Sequence, residues 1–135
     1  MTPFNLEIIT PDGVFYKGES ENIIARTTVG DKGVLARHEP YVAALGTGKI
    51  RVMLKGEGEY RVAALSAGII KVGSDKTTIL AQSCEWGEQI DTDRAKEAKK
   101  AAEERLADTT LSNRELEIAE FKLKRALNRL DAAKK

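Results

Sequence analysis

The chain has 135 residues and a formal net charge of +1, room for one ordinary domain or a small domain with an appendage. That charge balance gives no reason to expect nucleic acid, and no stretch is basic enough to suggest it locally. A single cysteine, Cys84, and a single histidine, His38, exclude an internal disulfide framework and a His/Cys zinc site. The thiol reads as small apolar filler in a reducing compartment. No run approaches about 18 apolar residues and no charged-then-apolar leader opens the chain. Any membrane association is therefore expected to come through a partner.

From the N-terminus, Phe4, Leu6 and Ile8 alternate with Asn5 and Glu7, and Thr10-Pro11-Asp12-Gly13 supplies a turn. The same pattern recurs at Val14–Tyr16, Asn22–Thr28, Val34–Ala36, Tyr41–Leu45, Lys49–Leu54, Tyr60–Leu65, Ile69–Val72 and Thr77–Ala81. The breaks between them are Lys17-Gly18, Gly30-Asp31-Lys32-Gly33, His38-Glu39-Pro40, Gly46-Thr47-Gly48, an exposed tip at Lys55–Glu59, Ser66-Ala67-Gly68 and Gly73-Ser74-Asp75-Lys76. Short strands with this turn chemistry predict a β-sandwich or flattened barrel of roughly eight to ten strands over residues 1–84.

All eleven glycines and three prolines lie at or before Gly87, so the chain changes character across a linker at residues 85–90. Of the 45 residues after it, 12 are basic and 10 acidic. Asp91 or Thr92 caps a helix with Ala95, Ala98, Ala102 and Leu106 on one face. Asp108-Thr109-Thr110 interrupts it. Ser112-Asn113-Arg114-Glu115 is a capping box, and Leu116, Ala119, Leu123, Ala126, Leu130 and Ala133 form a coiled-coil-like seam. The short loop makes residues 91–135 an antiparallel helical hairpin and the whole chain an α+β fold. A buried leucine contributes roughly 1.5–3 kcal/mol, while ordering a residue costs roughly 1.5 kcal/mol. A stripe half made of alanine is marginal alone, and the hairpin needs the sandwich, a ligand or another protein to lean on.

Catalytic constellations are absent from the sequence. His38 sits beside Glu39-Pro40 in a turn, where a triad base is out of place, and Gly30-Asp31-Lys32-Gly33 has no helix after it to receive a phosphate. Arg125 and Arg129 are one turn apart with Lys122 on nearly the same face. An antiparallel hairpin brings Arg94 to the same crevice. Guanidinium groups suit phosphate, and Asp91 or Glu85 can accept from an adenine amino group or a ribose. The competing reading is an ordinary Asp helix cap beside solvated arginines.

Four stretches in order carry a resemblance over the whole chain: Gly33–Pro40, Leu65–Val72 with Lys76–Ala81, Ile90-Asp91-Thr92-Asp93-Arg94-Ala95, and Leu123–Leu130. They resemble the ε-subunit family of the F-type ATP synthase, the third of them its Ile/Leu-Asp-x-x-Arg-Ala nucleotide motif. The resemblance implies a non-catalytic rotor subunit of the central stalk, at the cytoplasmic side of a bacterial membrane and attached there only through the complex. Its implied partners are the γ subunit, the c-ring, met through the Asp31 turn and the neighbourhood of His38, and the catalytic α/β subunits, met by the basic helix carrying Lys122. It implies a hairpin that inhibits ATP hydrolysis when extended and that ATP, needing no metal, holds folded. The carried-over ATP contacts are Glu85, Ile90, Asp91, Arg94, Ala95, Arg125 and Arg129. The chain departs from the family at Ala36-Arg37, at Ser66-Ala67-Gly68 and at Ala101. At Ala101 some members have a further ATP-holding arginine, which leaves Lys99 or Lys100 as substitutes. Two alternatives stay open: the same subunit with a purely structural hairpin, and an unrelated protein-binding adaptor.

Overall fold

The computed structural model describes residues 3–27, 30–34 and 40–134, and the side chains of 3–25 and 40–134. Six strands come first: β1 (Phe4–Thr10), β2 (Gly13–Thr27), β3 (Gly30–Val34), β4 (Tyr41–Leu54), β5 (Tyr60–Val72) and β6 (Lys76–Trp86). A 3-10 turn (Gly87–Gln89) then leads into α1 (Thr92–Leu106) and α2 (Asn113–Lys134). The strand order is β1-β6-β5-β4-β2-β3, and β1 also pairs with β2. Five strands therefore close on themselves while β3 hangs on the outer edge of β2. The expected architecture of sandwich followed by helical hairpin holds.

The strand count does not reach the expected eight to ten. Several pairs of expected short strands are halves of long ones: Tyr41–Leu45 and Lys49–Leu54 lie in β4, and Tyr60–Leu65 and Ile69–Val72 in β5. The breaks between them do not turn the chain. Leu45 faces Gly68 and Gly48 faces Leu65, so β4 and β5 keep one register across Gly46-Thr47 and Ser66-Ala67. What changes there is the face that points inward. In β4 the core takes Leu45 and then Ile50 and Val52; in β5 it takes Ala63 and Leu65 and then Ile70 and Val72; in β6 it takes Ile79 and Ala81 and then Trp86. The odd–even alternation slips by one in neighbouring strands together. Gly68 marks the closest approach, because a Cβ there would sit 2.1 Å from the Leu80 carbonyl oxygen, a separation only glycine avoids.

The slip divides the outer surface in two. On one side of it Ala44, Ile69, Leu80, Ile9 and Val14 are cross-strand neighbours in a single row. Ile69, Leu80 and Val14 are 48%, 50% and 59% exposed. On the other side the outward residues of β4, β5 and β6 include Lys49, Ala64 and Glu85, and α2 covers them.

Gly30-Asp31-Lys32-Gly33 is not a turn. It belongs to β3, which pairs antiparallel with the end of β2 from Ile23↔Val34 to Thr27↔Gly30. The side chain of Asp31 and the whole of His38, both expected partner contacts, lie outside the described residues.

Both helix starts follow the sequence. The Arg94 amide donates to Asp91 Oδ1 at 3.1 Å, and the Glu115 amide to Ser112 Oγ at 3.2 Å, each satisfying a first-turn N–H. Between the helices, the Thr110 amide and hydroxyl donate to one Asp108 oxygen at 2.9 and 2.6 Å, and an Arg105–Glu115 ion pair at 2.7 Å closes the loop. Ala95, Ala102, Ala119 and Ala126 are buried. The alanines thus form the contact between the helices, and the small stripe sets a close approach.

Candidate functional site

Glu85 is in the last two residues of β6, not in a linker, and alternation sends it and Trp86 to opposite faces. Trp86 enters the barrel core, 5.0 Å from the Phe15 ring and 6.2 Å from Tyr16, with the Arg61 guanidinium 4.0 Å from its ring centre. Glu85 points outward to α2 and pairs with Arg129, whose Nη2 donates to Oε2 at 3.3 Å while Nε bonds Oε1. Burial, and to a lesser degree the Glu85 carboxylate, pushes the neighbouring Cys84 thiol up to about 12. At pH 8 its thiolate fraction is then roughly a thousandth of an ordinary thiol's. Alkylation of Cys84 in the folded chain, followed by mass spectrometry, should run at least about a hundredfold slower than that of free glutathione. The unfolded thiol loses its proton first as pH rises, so this group's contribution to stability is whole below about 8.5 and declines toward pH 12.

The hairpin is attached to the sandwich along the second half of α2. Asn128 Nδ2 donates to the carbonyls of Gly48, at 2.9 Å, and Leu65, at 3.3 Å, which are partners across the β4–β5 ladder. Lys49 Nζ meets Asp131 at 3.0 Å. Ala132, fully buried, lies with Ile90 and Ala64 in a small apolar cluster separate from the barrel core. Gly87 touches the same turn of α2: a Cβ on it would fall 2.4 Å from the Ala132 carbonyl oxygen.

Above this attachment α1 and α2 enclose a groove of about 650 Å³, within the range of small-molecule sites. Arg94, Arg105, Lys122, Arg125 and Arg129 line it, with Glu115 the one carboxylate among the lining residues. Arg105 is held by Glu115 and Arg129 by Glu85. Arg94, Lys122 and Arg125 have no ion-pair partner among the described residues. The alanines Ala98, Ala101, Ala102, Ala119 and Ala126, with Ile118, form the apolar floor and wall. The groove therefore presents fixed positive charge beside an apolar surface large enough for a flat ring.

The expected ATP contacts divide. Arg94, Arg125 and Arg129 converge on the groove as the antiparallel hairpin requires, and Glu85 reaches it through Arg129. Ile90 and Ala95 are buried and do not line it, Ile90 packing instead with Ala64 and Ala132. Asp91 is exposed and its carboxylate caps α1. Ala101 does face the groove, but Lys99 and Lys100 do not line it; one turn on from Ala101, Arg105 does. Arg105 escaped the sequence reading, and Glu115 enters it only as part of the capping box, although opposite charges flanking a helix–helix loop are a usable signal. Asn128 escaped it too, and an isolated amide on a charged helix gives none.

The family described as "ATP synthase, Delta/Epsilon chain, beta-sandwich domain" matches residues 3–87, and "ATP synthase, Delta/Epsilon chain, long alpha-helix domain" matches 88–134. The ATP synthase epsilon chain of Ruminococcus albus is 40% identical over 136 residues, covering 100% of this chain and 99% of that one. That of Caldicellulosiruptor bescii is 43% identical, covering 98% and 95%. The fold matches a chain in the cryo-EM structure of Euglena gracilis mitochondrial ATP synthase (OSCP/F1/c-ring) with a TM-score of 0.83 at 23% identity, over 100% of this chain and 83% of that one. A second match, at TM-score 0.68 and 12% identity, is a chain in the central stalk/c-ring structure of Tetrahymena thermophila mitochondrial ATP synthase, covering 98% and 97%. The chain belongs to the Delta/Epsilon family of the ATP synthase, as one of its ε chains, which are non-catalytic stalk subunits of that enzyme.

Proposed function

We propose that this ε chain couples the catalytic head to the c-ring through its sandwich and restrains ATP hydrolysis through a movable hairpin that ATP, bound in the α1–α2 groove, holds folded. Its partners on this reading are the γ subunit, the c-ring and the catalytic α and β subunits, at the cytoplasmic face of a bacterial membrane. No helix among the described residues is long and apolar enough to cross a membrane; on this reading the complex supplies the attachment.

The observation that carries the ATP reading is the convergence of Arg94, Lys122 and Arg125, without carboxylate partners, beside an alanine-lined wall. Three unpaired cations offset most of the charge of a triphosphate with no metal ion. The folded state is held weakly. The Asn128 bonds contribute about 0.5–1.5 kcal/mol each, and ion pairs as exposed as Lys49–Asp131 about 0–1. ATP at about 100 times its Kd adds roughly 2.7 kcal/mol to the state that binds it, which is enough to govern such an attachment.

Calorimetric titration of the chain with ATP in EDTA tests this. Saturable binding, weakened about tenfold or more in each of Arg94→Ala and Arg125→Ala, is expected. No heat at millimolar ATP would sink the reading. Calorimetry is the primary readout because Trp86 lies on the face of β6 opposite Glu85. The second reading, a purely structural hairpin, is favoured by the use of Asp91 as a cap. It requires that deleting residues 91–135 leave hydrolysis by the assembled enzyme unchanged.

A further inference from the structure

A second cavity lies where α2 crosses β4, on the far side of α2's contact turn from the nucleotide groove. It measures about 240 Å³, below the roughly 300–1,000 Å³ of sites for drug-sized ligands. Its polar wall is built from two elements. Lys49 and Arg51, two apart on β4, point to the same side of the strand, and Lys124 comes down from α2. Asp131 is the one carboxylate lining it, already engaged by Lys49 at 3.0 Å. Arg51 and Lys124 have no ion-pair partner among the described residues. Thr47 and Gly48 form the floor, the Thr47 residue only 8% exposed. Three cations against one anion leave the site two charges positive, and the cations come from both halves of the molecule.

Like charges on two docked surfaces repel, so as it stands this corner opposes the attachment that Asn128 makes at the edge of the same cavity. An anion with two or more charges reverses the sign of that interaction. We propose that this cavity binds a small multivalent oxyanion, phosphate or pyrophosphate, bridging Arg51 on the sandwich to Lys124 on the hairpin and fastening the one to the other. The inference needs only the docked hairpin and goes beyond the nucleotide reading, because its residues are separate from those of the groove.

Titrate the full chain with inorganic phosphate and with pyrophosphate at constant ionic strength made up with chloride, by calorimetry, and follow amide exchange in α2. Saturable binding, tighter for pyrophosphate, is expected, with exchange over residues 124–131 slowed several-fold. Arg51→Gln and Lys124→Gln, both at exposed positions, should each weaken binding about tenfold, while Arg125→Ala in the groove leaves it within twofold. Binding lost in Arg125→Ala but kept in the other two places the anion in the groove and overturns the proposal. So does a response that chloride reproduces.

Discussion

Leu80→Asp is expected to abolish assembly of this chain with the stalk while leaving the chain folded. Leu80 is half exposed and sits mid-row between Ile69 on β5 and Ile9 on β1. The row continues to Ala44 and Val14 and crosses five strands. Two residues along the strands the next row is mostly polar: Lys71, Thr78, Glu7 and Lys17 are cross-strand partners in it, with Val42 at its β4 end. An apolar band with a charged rim is the anatomy of a protein interface. A carboxylate at its centre would be buried unpaired against a partner, and central interface positions carry about 2–4 kcal/mol, roughly a thirty- to thousandfold loss of affinity. In the free chain the same side chain stays in water, so the stability change should be within about 1 kcal/mol. Co-purification with γ, with Ile69→Asp as a second variant and thermal melting as the control, measures both. A Leu80→Asp chain that assembles at wild-type affinity would move the stalk contact off this face.

That band also shows how far the sequence could be read. The alternation of Phe4, Leu6 and Ile8 and the turn chemistry gave the all-β first part, and the loss of glycine after Gly87 with the Ser112 capping box gave the hairpin. These are local signals, each decided by residues within one turn or one strand. The strand count failed where a non-local event intervened. At Gly46–Gly48, Ser66–Gly68 and after Ala81 the inward face changes parity in adjacent strands at once, and a window along one strand sees only a broken pattern. The same event produces the two outer faces, so neither the apolar row nor the Lys49–Glu85 surface under α2 was legible until the strands were laid side by side.

The site divides along the same line. Arg94, Arg125 and Arg129 were placed together correctly because helical spacing and an antiparallel loop fix their positions. Ile90 and Ala95 share a motif with Asp91 and Arg94, yet they face the interior. Ile90 packs with Ala64 and Ala132, and Ala95 is on the buried face of α1, placements that the spacing of the motif does not announce. Asn128, Gly87 and Ala132, which fasten the hairpin, have partners more than forty residues away, and nothing near them in sequence announces the contact.

Gly87 is the position at which the fastening should be broken with the least other damage. Its backbone is in a conformation open to any residue, since its φ is not in the left-handed region. By conformational entropy alone, Gly87→Ala would stabilise the chain by about 0.4–1 kcal/mol. The contact reverses the sign: the new methyl would lie 2.4 Å from the Ala132 carbonyl oxygen and 3.3 Å from that of Val62, both backbone atoms that cannot rotate away. Forcing extra volume into a packed contact costs about 1–3 kcal/mol. The barrel has no reason to yield, whereas the last turns of α2 are held by a few polar contacts and one small apolar cluster. The substitution should therefore lift α2, breaking the Arg129–Glu85 pair and both Asn128 bonds and raising the undocked population by roughly five- to a hundredfold. Amide exchange in α2 should accelerate by that factor while exchange in β1, β5 and β6 stays as before. If ATP binds the docked hairpin more tightly than the free one, its apparent affinity falls in the same variant, and hydrolysis by the assembled enzyme at low ATP falls with it. Unchanged exchange in α2 would mean that the helix shifts along the sandwich without leaving it. Asn128→Leu, which removes the two bonds without adding volume beneath the helix, would then be the variant on which an arm that moves stands or falls.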